Sequence, residues 1–189
     1  MTVVAPRPLV IDACVARACG DVTSSHEVAT ACRVFLDTVQ KVGHSVVLTQ
    51  RILIEWEREA STYALTWLQH MVSRKCTRFV PLAGDEAMLD AILAATPRAE
   101  QQRAIRHDYH LVAAACAADA PIASLDETAR YLFAMAAIAV AVLRTVVWVN
   151  PSMSEEDAIS WLRDGANSDE ERQLGSFPLW QPRAGRPAR

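Results

Sequence analysis

The sequence lacks the short motifs that mark several large enzyme classes. It contains no Walker loop, no GxGxxG and no GxSxG, so a P-loop nucleotide site, a dinucleotide-binding fold and a serine hydrolase all lack support. Its five cysteines form no CxxC pair. Because their number is odd and no zinc-type spacing is present, we expect reduced thiols in a cytoplasmic protein rather than a disulfide framework.

Long hydrophobic segments are also missing. The N-terminus has no basic region followed by an apolar run, so no signal peptide is expected. The apolar stretch from residue 131 to residue 143 ends at Arg144, which makes it shorter than the roughly 20 residues that span a bilayer. We expect a buried helix there and no membrane partner.

The net charge of −3 at pH 7 gives the chain as a whole no attraction for nucleic acid. A polyanionic substrate would therefore need a metal ion or a local basic patch. Arg98, Arg103, Arg106, His107 and His110 form one basic run. It could follow an RNA backbone, or it could be an ordinary solvated loop and helix edge.

What the sequence does contain is an alternation of short apolar runs with longer segments of helical periodicity. Apolar runs separated by helices are typical of a parallel sheet that is covered on both faces. We therefore predict an α/β domain, a three-layer sandwich with a central parallel sheet of four to five strands and helices on both faces. Strands are expected at residues 9–11, 45–49, 121–125 and 145–149, with a brief strand or tether at residues 79–80.

Helix boundaries follow from caps and breakers. Ser24 and Glu27 form a capping box for a helix that ends at Gly43. One long helix is predicted from Gln50 to Arg74, and another is predicted to open at Asp108. Further helices are expected at residues 13–19, 84–97, 127–143 and 154–163.

The composition changes near the end of the chain. From Gly165 onward polar residues, glycine and proline dominate. We predict that the domain covers residues 1–164 and that residues 165–189 are a flexible tail, in which Trp180 could dock on a partner or fold back over the domain. Trp56, Trp67 and Trp148 are expected in the core instead, because of their positions in helices and strands.

Four carboxylates are placed where the predicted strands end or the predicted helices begin. Asp12 and Asp126 directly follow strands, Asp108 opens a helix, and Glu55 lies in the first turns of another. Because the ligand crevice of an open α/β sheet lies outside the carboxyl ends of its strands, we expect these four side chains to converge.

Clustered carboxylates repel one another, and a hard divalent cation relieves that repulsion. Carboxylate oxygens and water are the ligands that Mg²⁺ and Mn²⁺ prefer, so His107 and His110 are not expected to be ligands. Each acid also has a simpler interpretation. The three aspartates could be helix caps, while Glu55, like its neighbours Glu57 and Glu59, could belong to a solvated helix face.

The ordered set of motifs resembles the PIN-domain ribonucleases. It consists of Leu9 to Asp12, Leu48 to Trp56, His107 to Leu111 and Ala123 to Asp126, and the resemblance covers residues 8–164. It implies a metal-dependent endoribonuclease, often the toxin of a toxin–antitoxin pair, with RNA as substrate and an antitoxin or a second copy of the chain as partner. The catalytic and metal-binding residues, for one or two Mg²⁺ or Mn²⁺ ions, would be Asp12, Glu55, Asp108 and Asp126.

The chain departs from that family pattern at two positions. Cys14 stands where the family usually has Asn or Ser, and a thiol is a poor partner for a hard cation. We expect Cys14 to pack inward or to leave this role to Ser124 or water. Ser124 also stands where the family has a Thr, in a turn that lacks the family's Gly, and Glu127 could replace or assist Asp126. Two other functions remain open: a non-catalytic PIN-like module that binds RNA or protein, and a structure-specific DNA nuclease.

Overall fold

A computed structural model of the chain describes residues 5–20, 25–81 and 86–178. The described residues form one parallel sheet with the strand order β3-β2-β1-β4-β5. This arrangement confirms the predicted α/β fold with a central parallel sheet. The strands are β1 (Pro8–Ile11), β2 (Ser45–Leu48), β3 (Thr77–Phe79), β4 (Ile122–Ala123) and β5 (Trp148–Val149).

Helices cover both faces of the sheet, and the central strands are accordingly buried without an exposed side. Leu9, Val10 and Ile11 of β1 are all 0% exposed, as a strand inside a doubly covered parallel sheet should be. The helices are α1 (Ala13–Ala18), α2 (Glu27–Val42), α3 (Gln50–Glu59), α4 (Thr62–Ser73), α5 (Glu86–Ala94), α6 (Ala99–Ala118), α7 (Glu127–Ala137) and α8 (Ala158–Arg163). Short 3₁₀ helices occupy Ala141–Thr145, Ser154–Glu156, Glu170–Arg172 and Leu174–Ser176.

The tryptophans expected in the core are there, since Trp56, Trp67 and Trp148 are all buried. None of the helices that the structure describes is both long enough and apolar enough to cross a membrane. Ser24 of the predicted capping box, the start of the helix expected at residue 84, and Trp180 lie outside the described residues.

The prediction of a single helix from Gln50 to Arg74 is wrong, because the helix is interrupted between α3 and α4. Ala60 is extended, and the Ser61 side chain accepts a hydrogen bond from the Ala64 amide as the N-cap of α4. The Ser61 amide and hydroxyl both donate to the Ala16 carbonyl, at 3.2 and 3.0 Å. A tertiary contact with α1 thus replaces the helical path that local periodicity favours.

The helix expected to open at Asp108 begins nine residues earlier, at Ala99 of α6. Asp108 therefore lies in the middle of a helix and is not a helix cap. The segment before it, which looks like a polar linker, is helical because it buries Ile105. Its Gln102 side chain also donates to the carbonyls of Leu93 and Thr96 at the end of α5.

Further boundaries differ from the sequence-based prediction, and the strands expected at residues 121–125 and 145–149 are limited to Ile122–Ala123 and Trp148–Val149. The helix expected over residues 127–143 ends at Ala137, where the Arg144 side chain donates to the Ala137 and Ile138 carbonyls. The last helix begins after Asp157, whose side chain accepts from the Ser160 amide, and not after Ser154.

The part of the predicted tail that the structure describes, residues 165–178, packs on the domain. Leu174 is 2% exposed, and its amide donates to the Val146 carbonyl at 2.9 Å. Gln173 forms an antiparallel bridge with Val147. The packed region therefore continues beyond the boundary expected at residue 164, because this polar segment carries buried Leu174 and buried Ala166.

The break between α3 and α4 gives a stability prediction. Ser61→Ala removes the N-cap of α4 and the hydroxyl contact to Ala16, so we expect unfolding to require about 1–2 kcal/mol less free energy. Urea denaturation measures the change. Ser73→Ala, which removes an exposed hydroxyl at the end of α4, should change stability by less than about 0.5 kcal/mol. Equal stability of the two variants would contradict the capping role.

Candidate functional site

Asp12 leaves β1 at the carboxyl edge of the sheet and caps α1. Its amide donates to the Ala123 carbonyl of β4 at 3.0 Å, which fixes the backbone beside the neighbouring strand. Oδ1 accepts from the Cys14 amide at 3.2 Å, and Oδ2 accepts from the Ser124 hydroxyl at 2.6 Å. The carboxylate is therefore a helix cap and a member of the site at once.

Asp126 does not directly follow β4, contrary to the expectation from the sequence, but lies after Ser124 and Leu125, where it caps α7. Its Oδ1 accepts from the Ala129 amide at 2.8 Å, while its own amide donates to Ser124 Oγ at 3.0 Å. Ser124 is fully buried and bonds both acidic residues, through the side chain of Asp12 and the backbone of Asp126. Ser124, predicted as an accessory residue, thus fixes the positions of Asp12 and Asp126 relative to each other.

Cys14 completes this group. Its Sγ donates to Asp12 Oδ2 at 2.9 Å and accepts from the Leu125 amide at 3.2 Å. Burial raises the pKa of the Cys14 thiol, and the charge of Asp12 raises it further, so the side chain remains a neutral thiol. Cys14 therefore packs inward as a hydrogen-bond donor to the carboxylate that would face a cation.

Asp108 reaches the same edge from the middle of α6, and its side chain is 18% exposed. Burial raises the pKa of the Asp108 carboxyl, the His107 ring bonded to it at 2.7 Å lowers it, and the charges of Asp126 and Asp12 raise it. Asp12 and Asp126 thus act electrostatically on Asp108, although the three residues come from distant parts of the chain.

Glu55 lies on α3 with its side chain 12% exposed. Oε1 accepts from Arg51 Nε at 3.2 Å, and Oε2 lies 2.8 Å from His110 Nε2. Its two rivals are placed differently: Glu57 is exposed, and Glu59 forms ion pairs with Arg17 and Arg58. Of the three glutamates, Glu55 is therefore the one that contacts α6.

Sequence reasoning missed the contacts of Arg51, and it did not anticipate that His110, which belongs to the basic run, is buried. The Arg51 guanidinium donates to the His107 carbonyl at 2.7 Å as well as to Glu55, and the spacing of four residues between Arg51 and Glu55 was the signal available. His110 is 6% exposed, and burial lowers the pKa of its ring while the charge of Glu55 raises it.

The predicted RNA-binding residues line α6. Arg98 precedes the helix as its N-cap, and Arg103, Arg106 and His107 are exposed along it, leading towards Asp108. The hydrogen bond to Asp108 raises the pKa of the His107 ring. The basic run is therefore a helix surface that ends at the acidic edge.

Glu127 belongs to a polar network with Asn150 and Arg130. Its Oε1 accepts from Asn150 Nδ2 at 2.9 Å and lies 3.6 Å from Arg130 Nη1. Arg130 in turn pairs closely with Glu156, whose second oxygen accepts from the Asn150 amide. This network joins the start of α7 to the end of β5. The Glu127 carboxylate is therefore held by structural contacts.

The acidic side chains that the structure describes at this edge of the sheet do not form a complete coordination sphere for a metal ion. Within residues 5–20, 25–81 and 86–178, no group of three or more His, Cys, Asp or Glu side chains is arranged to hold a metal ion. The chemistry of the donors nevertheless fits Mg²⁺ or Mn²⁺, since carboxylates that repel one another gain from a hard cation. Mg²⁺ often binds through only one or two carboxylates and keeps several waters, so a protein cage is not required.

Comparison of the chain with models of known protein families, with curated proteins and with solved structures finds no match. The functional proposal therefore depends on the geometry of the chain itself.

The bridging hydroxyl of Ser124 is open to a direct test. Ser124→Ala leaves the partly buried Asp126 amide without its acceptor and leaves Cys14 Sγ as the remaining donor to Asp12 Oδ2, so we expect a loss of about 1–3 kcal/mol in the free energy of unfolding. Chemical denaturation measures it. Ser160→Ala, at an exposed position on α8, is the matched control, and a Ser124→Ala protein as stable as this control would rule out the bridging role.

Proposed function

We propose that the chain is a PIN-like, metal-dependent endoribonuclease that hydrolyses RNA phosphodiester bonds with Mg²⁺ or Mn²⁺. One observation carries the proposal. Asp12 and Asp126, which follow β1 and β4, are joined through hydrogen bonds to Ser124, and burial together with the charges of these two residues raises the pKa of Asp108 on α6. Acids gathered at this edge, against their own repulsion, are what a metal-dependent site requires.

Asp12, Asp108, Asp126 and Glu55 would hold the ion or ions. A bound Mg²⁺ or Mn²⁺ supplies an activated water and stabilises the leaving oxygen. Ser124 and Cys14 both donate to Asp12 Oδ2, which orients that carboxylate before any ligand arrives. Asp126 is the exposed member of the group, so it is placed to meet the substrate side of the site.

The basic surface of α6 supports RNA as the substrate. Arg103 and Arg106 are exposed on the helix that carries Asp108, and Arg51 lies beside Glu55 with its side chain 48% exposed. Cations placed next to the acidic edge can bind phosphates on either side of the scissile bond, although the chain as a whole is acidic.

A toxin neutralised by an antitoxin in the cytoplasm is the biological setting we propose. The five cysteines, all of which lie in the described residues, are free thiols, as a reducing compartment requires. An apolar groove between α3 and α4, lined by Leu53, Leu65 and Leu68 beside exposed Val72, offers a surface to an antitoxin segment or to a second copy of the chain.

A second candidate function is a non-catalytic PIN-like module that binds RNA or protein. Cys14 favours this function, because its thiol donates a hydrogen bond to Oδ2 of the Asp12 carboxylate. It is also favoured by the lack of a three-ligand group in the part of the chain that the structure describes. A structure-specific DNA nuclease would use the same acids, and a substrate panel separates it from a ribonuclease.

Cleavage of a defined single-stranded RNA tests the proposal. Asp12→Asn and Asp126→Asn should each lower the Mn²⁺- or Mg²⁺-dependent rate at least about a hundredfold, since loss of a ligand costs no less than loss of its supporting partners. EDTA should abolish cleavage. Parallel reactions with single-stranded and branched DNA identify the nucleic acid that the enzyme prefers.

The matched control is Asp90→Asn, an exposed acid on α5 outside the site, which should cleave at the wild-type rate. Circular dichroism confirms that each variant is folded. If the Asp12→Asn, Asp126→Asn double variant cleaves RNA at the wild-type rate, the nuclease proposal is contradicted. RNA binding without metal-dependent cleavage by the wild type would favour the binding module.

Arg103 and Arg106 make a separate prediction about RNA affinity. Replacing both with Gln should weaken RNA binding in EDTA and reduce the slope of log K against log salt by about 1.4, at roughly 0.7 for each phosphate contact with a single strand. Fluorescence anisotropy over a salt series measures this slope. Arg163→Gln, an exposed arginine on α8, should leave it unchanged, and equal slopes for all three proteins would exclude α6 as the RNA-binding surface.

A further inference from the structure

His110 is a buried polar residue of the acidic edge that the proposed function leaves without a role. Its Nδ1 lies 3.0 Å from the His107 carbonyl oxygen, one turn earlier on α6. A carbonyl oxygen only accepts, so Nδ1 carries the proton in this bond. In a neutral ring, Nε2 is then an unprotonated nitrogen with a lone pair.

Nε2 is fully buried and has no hydrogen-bond partner among the described residues. Glu55 Oε2 nevertheless lies 2.8 Å from it. A charged imidazolium would point its N–H at the carboxylate, and this contact is close enough for a hydrogen bond but is not aligned as one. An unprotonated Nε2 and a carboxylate oxygen at this distance repel each other unless both bind a shared cation, towards which their lone pairs would converge.

The distance is the one expected for two neighbouring ligands of a single ion. In an octahedral site with bonds of about 2.1 Å, adjacent ligand atoms are about 3 Å apart, close to the 2.8 Å found here. Arg51 donates a hydrogen bond to Oε1 of Glu55, which leaves Oε2 available as a metal ligand. The charge of Asp12 also acts on the His110 ring.

We propose that His110 Nε2 and Glu55 Oε2 are adjacent ligands of one divalent transition-metal ion, and that the site therefore takes Mn²⁺ in preference to Mg²⁺. A nitrogen ligand favours first-row transition ions, whereas Mg²⁺ takes oxygen ligands. The inference rests on the proposed function for the presence of a metal site, and it reverses the expectation that carboxylates alone provide the ligands.

The test compares Mn²⁺ and Mg²⁺ binding by the metal-free full chain, using the chloride salts in isothermal titration calorimetry. His110→Asn keeps an amide donor towards the His107 carbonyl and removes Nε2. We expect it to weaken Mn²⁺ binding at least about tenfold and to narrow the ratio of Mn²⁺ to Mg²⁺ affinity by a similar factor. His70→Asn, the same change at an exposed histidine of α4, should bind both ions as the wild type does.

Nitrogen-15 NMR of the wild-type chain with labelled histidine gives a second readout that needs no variant. We expect the His110 ring of the metal-free protein to show a protonated Nδ1 and an unprotonated Nε2. Substoichiometric Mn²⁺ should broaden the His110 ring signals before those of His70.

The outcomes separate this inference from the proposed function. Mn²⁺ that binds wild type and His110→Asn equally well, or a ring with a protonated Nε2, overturns the ligand role of His110 and leaves a carboxylate metal site standing. A wild-type chain that binds neither Mn²⁺ nor Mg²⁺ overturns both the ligand role and the metal-dependent nuclease.

Discussion

The hydroxyl of Ser124 connects the two halves of the acidic edge. It donates to the Asp12 carboxylate at the end of β1 and accepts from the Asp126 amide at the start of α7, shortly after β4. These strands are neighbours in the sheet but are distant in the chain, so the hydroxyl converts strand pairing into a fixed separation of two acids. Cys14 adds a softer donor to the same carboxylate oxygen. The cost of holding like charges together is thus offset by buried hydrogen bonds.

The sheet could be predicted because its signals are local. Short apolar runs between helical segments specify a parallel α/β sheet, and an acid directly after a strand must lie at one edge. Ser61 shows where local signals fail, since its partner, the Ala16 carbonyl, is 45 residues away. Arg144 likewise ends α7 by a side-chain contact that no periodicity reveals.

The candidate site divides in the same way. The positions of Asp12 and Asp126 can be predicted because each follows a strand of the sheet. Asp108 is predicted to open a helix, but that helix begins at Ala99. Its approach to the other acids comes from the packing of α6 and not from a cap. The contact between His110 and Glu55 joins two helices through buried atoms. Rules about which residue types suit a hard cation could not have identified it, because they consider chemistry without distance.

The segment after α8 has a consequence for how the sheet meets other chains. β5 is an edge strand, and an unpaired strand edge is a template for pairing with another molecule. Leu174 and Gln173 bond to the residues that enter β5, so this edge is partly covered. At the opposite edge, β3 has only three residues and carries an exposed Phe79. Residues 173 and 174, which belong to the segment predicted as a flexible tail, therefore restrict pairing of another strand along β5.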